Sequence, residues 1–330
     1  MKSDFIFLLK NFAKNTINNF LFKKIFLKIL IKNLLAKPYP IILMFHMITP
    51  QDEEDLSSIN NLKLSPQFFE YVIKTAIVQN RYFISLDELW EILIHNKKLD
   101  KKATLITFDD GYRDNFLYAY PILKKYDIPF TIYINSGFIN KEFFPWWLII
   151  ADLIKKKDTI FWENKKFNID SKLKKEKFYF LIRNKLINCN SKEKIEKIVN
   201  MICEENKCSI KKNNLFMSWK EIKELLNYPK FCLGTHTYFH LNLTVLNEEQ
   251  IQQEIERDIK EIKKNTGIEP KHISYPFGFY NKKVISVVKC FSLYTGVSTK
   301  LNFVFNKNNI LELPRVFLRE KVTGLLRNLI

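Results

Sequence analysis

Ala103-Thr104-Leu105-Ile106-Thr107-Phe108-Asp109-Asp110-Gly111-Tyr112 is the stretch on which the reading of this chain turns. Its first six residues run without a charge and stop at two carboxylates and a glycine, as expected of a buried strand whose C-terminal end opens onto a loop. Two adjacent carboxylates at such a strand end repel one another and lose hydration unless a cation or a proton offsets them. The pair therefore points to metal or acid–base chemistry, with capping of a helix from Asn115 as the structural alternative.

Outward from this strand, short apolar runs alternate with helical patterns, which predicts parallel strands joined by helices. Residues 41–45, ending at His46, form a first strand, and 130–134, 231–234, 273–275 and 294–297 supply the others. Helices are expected over 66–79, opened by Ser65 as N-cap with Pro66 at the first position, over 86–94 and over 248–264. The fold class is α/β of a barrel-like kind, in which sites gather at the C-terminal ends of strands. Between 145 and 228 the strand rhythm stops and Lys, Ile, Leu and Phe recur at helical spacing, so this segment is expected to be a largely helical insertion. The organisation is then an N-terminal segment, 1–37, and one domain over 38–330 that carries the insertion.

Two more segments at strand ends carry candidate chemistry. Gly234-Thr235-His236-Thr237-Tyr238-Phe239-His240 places two histidines four apart, a spacing that on a helical turn puts both imidazoles on one face, where a carboxylate would complete a facial metal set. Ser274-Tyr275-Pro276-Phe277-Gly278 combines Pro276 and Gly278 into a tight turn whose backbone N–H groups can polarise an acyl oxygen.

Composition bounds the alternatives. The chain has 330 residues, with 53 Lys and Arg against 35 Asp and Glu and a formal charge of +18. The lysine excess is spread along the chain beside abundant Asn, Ile and Phe, and no recognition module with interleaved glycines and aromatics accompanies it, so nucleic acid is not an expected partner. The cysteines Cys189, Cys203, Cys208, Cys232 and Cys290 form no CxxC pair, which disfavours a disulfide scaffold. Lysines interrupt the apolar N-terminal stretch too often for a transmembrane helix or a clean signal peptide. Phe20, Leu21, Ile25, Phe26, Ile29 and Leu30 suit instead an amphipathic helix that lies on an anionic membrane surface or packs on the domain. Absence of a clean signal makes a cytoplasmic protein, peripheral at an inner membrane, the expected location.

Taken together and in this order, the three strand-end segments resemble the NodB-homology polysaccharide deacetylases, carbohydrate esterase family 4. Thr107 to Gly111 matches the family's first motif, His236 to His240 its HxxxH motif, and Ser274 to Gly278 the turn of its third. The resemblance implies a distorted (β/α) barrel with fewer than eight repeats. It implies one divalent metal, zinc by default with Co2+, Ni2+ or Fe2+ as alternatives, held by Asp110, His236 and His240. Asp109 becomes the general base, and the Phe277 N–H, within a turn that includes Tyr275, helps to bind the oxyanion. No histidine follows His272 to act as the usual C-terminal acid. Leu43-Met44-Phe45-His46 resembles instead the circularly permuted branch of exopolysaccharide poly-N-acetylglucosamine deacetylases, which makes His46 the acid. Ser274 stands where the third motif has an arginine that pairs with the base, and Arg315, in Leu313-Pro314-Arg315, is the candidate replacement. Trp146, Trp147 and above all Trp219 are candidates to stack on sugar rings. The expected activity is metal-dependent removal of acetyl groups from N-acetylhexosamine units of a bacterial surface polysaccharide or lipid-linked precursor. A carbohydrate O-acetyl esterase and a non-catalytic glycan-binding relative are the alternatives.

Overall fold

In the computed structural model, the residues described are 20–208, 214–305 and 309–320, leaving aside the side chains of 20–24. Helix α1 (Phe20–Ala36) leads to strand β1 (Ile41–Phe45), helix α2 (Pro66–Val78), the short strand β2 (Tyr82–Phe83), helix α3 (Leu86–Ile94) and strand β3 (Ala103–Phe108). After β3 come a π-helical turn (Asn115–Ala119), α4 (Tyr120–Lys125) and β4 (Phe130–Ile134). The Ser65 hydroxyl accepts the Phe68 N–H to start α2, and Ser85 with Glu88 forms a reciprocal capping box at α3.

The segment that follows contains α5 (Trp146–Lys155), strands β5 (Thr159–Trp162) and β6 (Lys165–Asn168), then α6 (Lys172–Ile187), α7 (Lys192–Glu205) and α8 (Trp219–Leu225). β5 and β6 make an antiparallel hairpin that the helical spacing does not predict. Glu163 and Asn164 both have positive φ, 52° and 60°, the pair of left-handed residues that a two-residue hairpin turn of matching twist requires.

The barrel resumes with β7 (Phe231–Thr235), α9 (Glu248–Thr266), β8 (His272–Ser274), α10 (Lys282–Val288), β9 (Thr295–Val297) and β10 (Val316–Phe317). The parallel order is β9-β8-β7-β4-β3-β1-β10, with β2 added to the start of β3. A parallel bridge from Val297 to Leu313 links the run that leads into β10 to β9, so residues 313–317 span from β9 to β1 and curl the sheet into a distorted (β/α) barrel.

Side chains alternate across each strand. Leu43, Phe45, Ile106, Phe108, Ile132, Ile134 and Leu233 face the helices in one apolar layer, which also takes up Leu27, Ile31, Leu34 and Leu35 of α1. The buried face of α1 is thus occupied by the domain. Ile25 and Ile29 stay exposed, Phe26 and Leu30 are partly covered, and residues 1–19 of the N-terminal segment lie outside the described residues. No helix among the described residues is long and apolar enough to cross a membrane. Inside the barrel, Ile42, Leu105, Tyr133, Val297 and Leu313 pack with Leu86 and Leu89 of α3 and close its lower end.

Candidate active site at the strand ends

Asp109 is the last residue that β3 aligns, its N–H still donating to Phe45 O at 3.0 Å. The chain then turns through Asp110 and Gly111, both left-handed with φ of 71° and 70°. Asp tolerates that conformation better than most residues, and at Gly111 a Cβ would also lie 2.9 Å from Ile134 Cγ2. The Asp-Asp-Gly order is therefore what allows one carboxylate to point into the barrel while the next is turned toward the histidine loop.

Arg315 meets Asp109 with two parallel bonds, Nη1 to Oδ1 at 2.7 Å and Nη2 to Oδ2 at 2.6 Å. Its Nε donates to Ser298 O, and Nη2 also reaches Ser274 Oγ at 3.0 Å. The serine in the third motif leaves room for an arginine that arrives from the other side of the barrel. Burial alone would raise the Asp109 pKa, but Arg315 and the neighbouring histidines hold the carboxyl well below the usual carboxylate range.

Asp110 has the opposite environment. Burial and the charge of Asp109 push it up to about 8, against a bond from the Tyr112 hydroxyl. Its Oδ1 is buried without a hydrogen-bond donor and lies 3.5 Å from His236 Nε2 and 3.4 Å from His240 Nε2. Bonds of 2.0–2.1 Å at tetrahedral angles set donor atoms roughly 3.3 Å apart, so the three groups fit one divalent ion. His236 Nδ1 lies 2.6 Å from Ser274 O, which fixes the tautomer and leaves Nε2 for the ion. Burial lowers the pKa of both histidines, keeping them in the neutral form that ligates.

The histidines do not lie on a helical turn, as their spacing alone predicts. They sit in an irregular loop after β7 in which Thr237 and His240 are left-handed, with φ of 65° and 54°. The loop is held from outside: Asn135 donates to the carbonyls of His236 and Thr237, Glu254 accepts the Phe239 N–H, and Asp258 accepts the Ser136 N–H and the Thr235 hydroxyl. Glu254 and Asp258 belong to α9, a helix otherwise rich in exposed charge. They fall, however, on the stripe of Ile251, Ile255 and Ile262, and a carboxylate on an apolar stripe is the sequence signal for such a role.

The other candidates divide. His46 follows β1, partly buried, with Nδ1 unpartnered and its ring edge-on to Phe317 at 5.6 Å. Phe277 has φ 59°; the amides of Gly278 and Phe279 turn back onto Tyr275 and Pro276, while no backbone acceptor among the described residues takes the Phe277 N–H. Its ring stands 4.5 Å from that of His240. The Tyr275 side chain turns away into the core, donating to Leu311 O at 2.8 Å. Trp219 bonds Asn140 and packs in the layer beneath α8, whereas Trp147 lies 5.0 Å from His240 and donates to the Tyr112 hydroxyl. Trp146 is fully buried. Of the three tryptophans, it is Trp147 that touches the site, where its indole joins Phe138, Phe216 and Phe277 in an aromatic wall.

His46 yields a test of this electrostatic picture. Burial, first, and then Arg315 and His236 lower its pKa from 6.5 to about 4, although Asp109 opposes them. A depressed folded-state pKa gives stability that is present above 6.5 and is lost as pH falls toward 4, a loss of about 3 kcal/mol. Urea unfolding with chelator present throughout is expected to show this extra acid sensitivity in the wild type and not in His46→Gln. Equal slopes for the two proteins over that window would show that His46 is solvated.

The polysaccharide deacetylase family model matches residues 96–295, which include both histidines and both aspartates of the cluster. YxkH of Bacillus subtilis is 39% identical over 101 residues, which cover 31% of this chain and 33% of that one, so the alignment spans only a third of that relative. The poly-β-1,6-N-acetyl-D-glucosamine N-deacetylase of Staphylococcus aureus is 24% identical over 272 residues, 79% of this chain and 70% of its own. The deacetylase PplD of Streptococcus pyogenes superimposes with a TM-score of 0.59 at 20% identity, over 88% of this chain and 98% of that one, a likeness of fold. With the three strand-end motifs inside a matched span of more than half the chain, this chain belongs to the polysaccharide deacetylase family, the NodB or carbohydrate esterase 4 group.

Proposed function

We propose that the chain removes N-acetyl groups from N-acetylhexosamine units of a polysaccharide, with a divalent ion, zinc by default, held by Asp110, His236 and His240. One observation carries the reading: two adjacent buried carboxylates are driven apart in character, Asp109 ionised by Arg315 and Asp110 left facing two neutral histidines. Pairs of titratable groups pushed in opposite directions mark acid–base assignments. A bound ion would supply Lewis acidity toward the acetyl oxygen and toward water.

The chain's own groups do the rest. Asp109, anionic at neutral pH, accepts a proton from the attacking water. The Phe277 N–H offers a donor where negative charge develops on the acetyl oxygen. His46, neutral at rest, draws a proton from solvent as that charge builds and passes it to the leaving amine as the carbon–nitrogen bond breaks, while Asp109 releases the water's proton to solvent once acetate has left. Phe277, partly exposed beside His240 and backed by the buried Trp147, offers a sugar ring a stacking surface.

Similarity to the staphylococcal enzyme makes β-1,6-linked N-acetylglucosamine oligomers the first substrate to try. Acetate release from them is expected to stop with chelator and return with Zn2+, and O-acetylated sugars are expected to be poorer substrates. Preference for the O-acetyl esters would move the assignment to an esterase, and zinc binding with no release from any glycan would leave a binding protein.

A further inference from the structure

A second set of ligating groups lies at the other end of the barrel. Cys232 is the second residue of β7 and His272 the first of β8, on the same inward-facing alternation as His236 and Ser274 but four and two residues earlier, roughly 13 and 7 Å back along their strands. Asp87, near the start of α3, comes up from below. The ligand atoms of Asp87, Cys232 and His272 all lie within 4.8 Å of one another. His272 Nε2 is 3.0 Å from Asp87 Oδ1, close to the separation of two donors on one tetrahedral ion.

We propose that Asp87, Cys232 and His272 form a separate binding site for a borderline-soft divalent cation such as Zn2+, which ties α3 to the floor of the barrel. The donor set is S, N and O, which zinc accepts and hard oxygen-seeking ions such as Mg2+ do not. A thiolate and a carboxylate together neutralise a divalent charge, which matters where His272 is fully buried. The imidazole is already oriented, its Nδ1 being 2.8 Å from Thr295 Oγ1, so that Nε2 faces Asp87. Asp87 is the most exposed of the three, with a side chain 58% accessible, and gives the ion its way in and a solvent-facing fourth position. Trp90 and Tyr294, stacked at 3.9 Å, form an aromatic cover beside His272. Binding displaces the Cys232 proton to solvent, so affinity rises with pH.

Cobalt substitution separates this site from the one at the strand C-termini, because only this one contains sulfur. Co2+-loaded protein is expected to show a thiolate-to-cobalt charge-transfer band in the near ultraviolet. The band should persist in Asp110→Asn and disappear in Cys232→Ser, and zinc content should fall by one equivalent per chain in each variant and by two in the double variant. Asp87→Asn, changed at a largely exposed side chain, is expected to fold normally and to weaken the band's titration at least tenfold. No thiolate band in the wild type at saturating cobalt, or full zinc content in Cys232→Ser, would overturn the proposal without touching the deacetylase assignment.

Discussion

Replacing Arg315 with methionine is expected to lower kcat/KM at neutral pH by a factor on the order of 10²–10⁴, the range that a general base contributes. The guanidinium makes two short bonds to Asp109, and both groups are sealed from solvent. Without it, burial acts on Asp109 unopposed, and the carboxyl takes up a proton rather than remain an uncompensated buried anion. A protonated Asp109 cannot accept from water, so the acid limb of the pH–rate profile moves to higher pH and part of the activity returns in alkali. Arg315→Lys is expected to fall between, since an ammonium keeps the charge but not the planar fork. Moving the cation provides the sharper check. The family resemblance places an arginine at the position of Ser274, whose hydroxyl is 3.3 Å from Asp109 Oδ2, so Ser274→Arg with Arg315→Ser should recover activity that Arg315→Ser alone has lost. If Arg315→Met retains the wild-type profile, the arginine serves packing alone.

That pairing shows how far a single sequence reaches. Arg315 is separated from Asp109 by 206 positions, yet it was legible because a motif with a missing cation requires one elsewhere and the segment at 313–315 comes after 294–297, the last strand the sequence predicts. Strand positions were legible for a simpler reason: runs buried on both faces leave an uninterrupted apolar record. The histidine loop was not, since a spacing of four fits a helical turn as well as a loop with two left-handed residues, and the conformation of Thr237 and His240 is imposed by Asn135, Glu254 and Asp258 from other elements. Trp147 was outranked by Trp219 on proximity in sequence. What brings it to His240 is the docking of α5 against the aromatic wall, a tertiary fact with no local signature. The β5–β6 hairpin escaped because β5 is only four residues long and β6 mixes lysines with an apolar residue, as the neighbouring helices do.

The same substitution at adjacent positions should move stability in opposite directions. Asp110→Asn removes one of two neighbouring buried carboxylates and leaves an amide of nearly equal size whose N–H can donate to a neutral histidine Nε2, so the metal-free protein is expected to gain roughly 1–3 kcal/mol, the penalty of an unsatisfied buried polar group. Activity should nevertheless fall below detection, because two neutral histidines alone hold a divalent ion poorly and the strand-end site empties. Asp109→Asn does the reverse. It strands the Arg315 guanidinium beside an amide, at a cost of about 3–5 kcal/mol, while the three metal donors remain. Its acetate release should fall by a factor on the order of 10²–10⁴ with zinc content unchanged. Urea unfolding in chelator, zinc content by mass spectrometry and acetate release on both variants decide the matter together. The outcome that would sink the assignment is loss of zinc in Asp109→Asn with retention in Asp110→Asn, for that would exchange the roles of base and ligand. A gain of stability on losing Asp110 would mean that the metal-free fold carries a cost that a bound cation or a proton must relieve, as expected of a pair of carboxylates retained for chemistry rather than for folding.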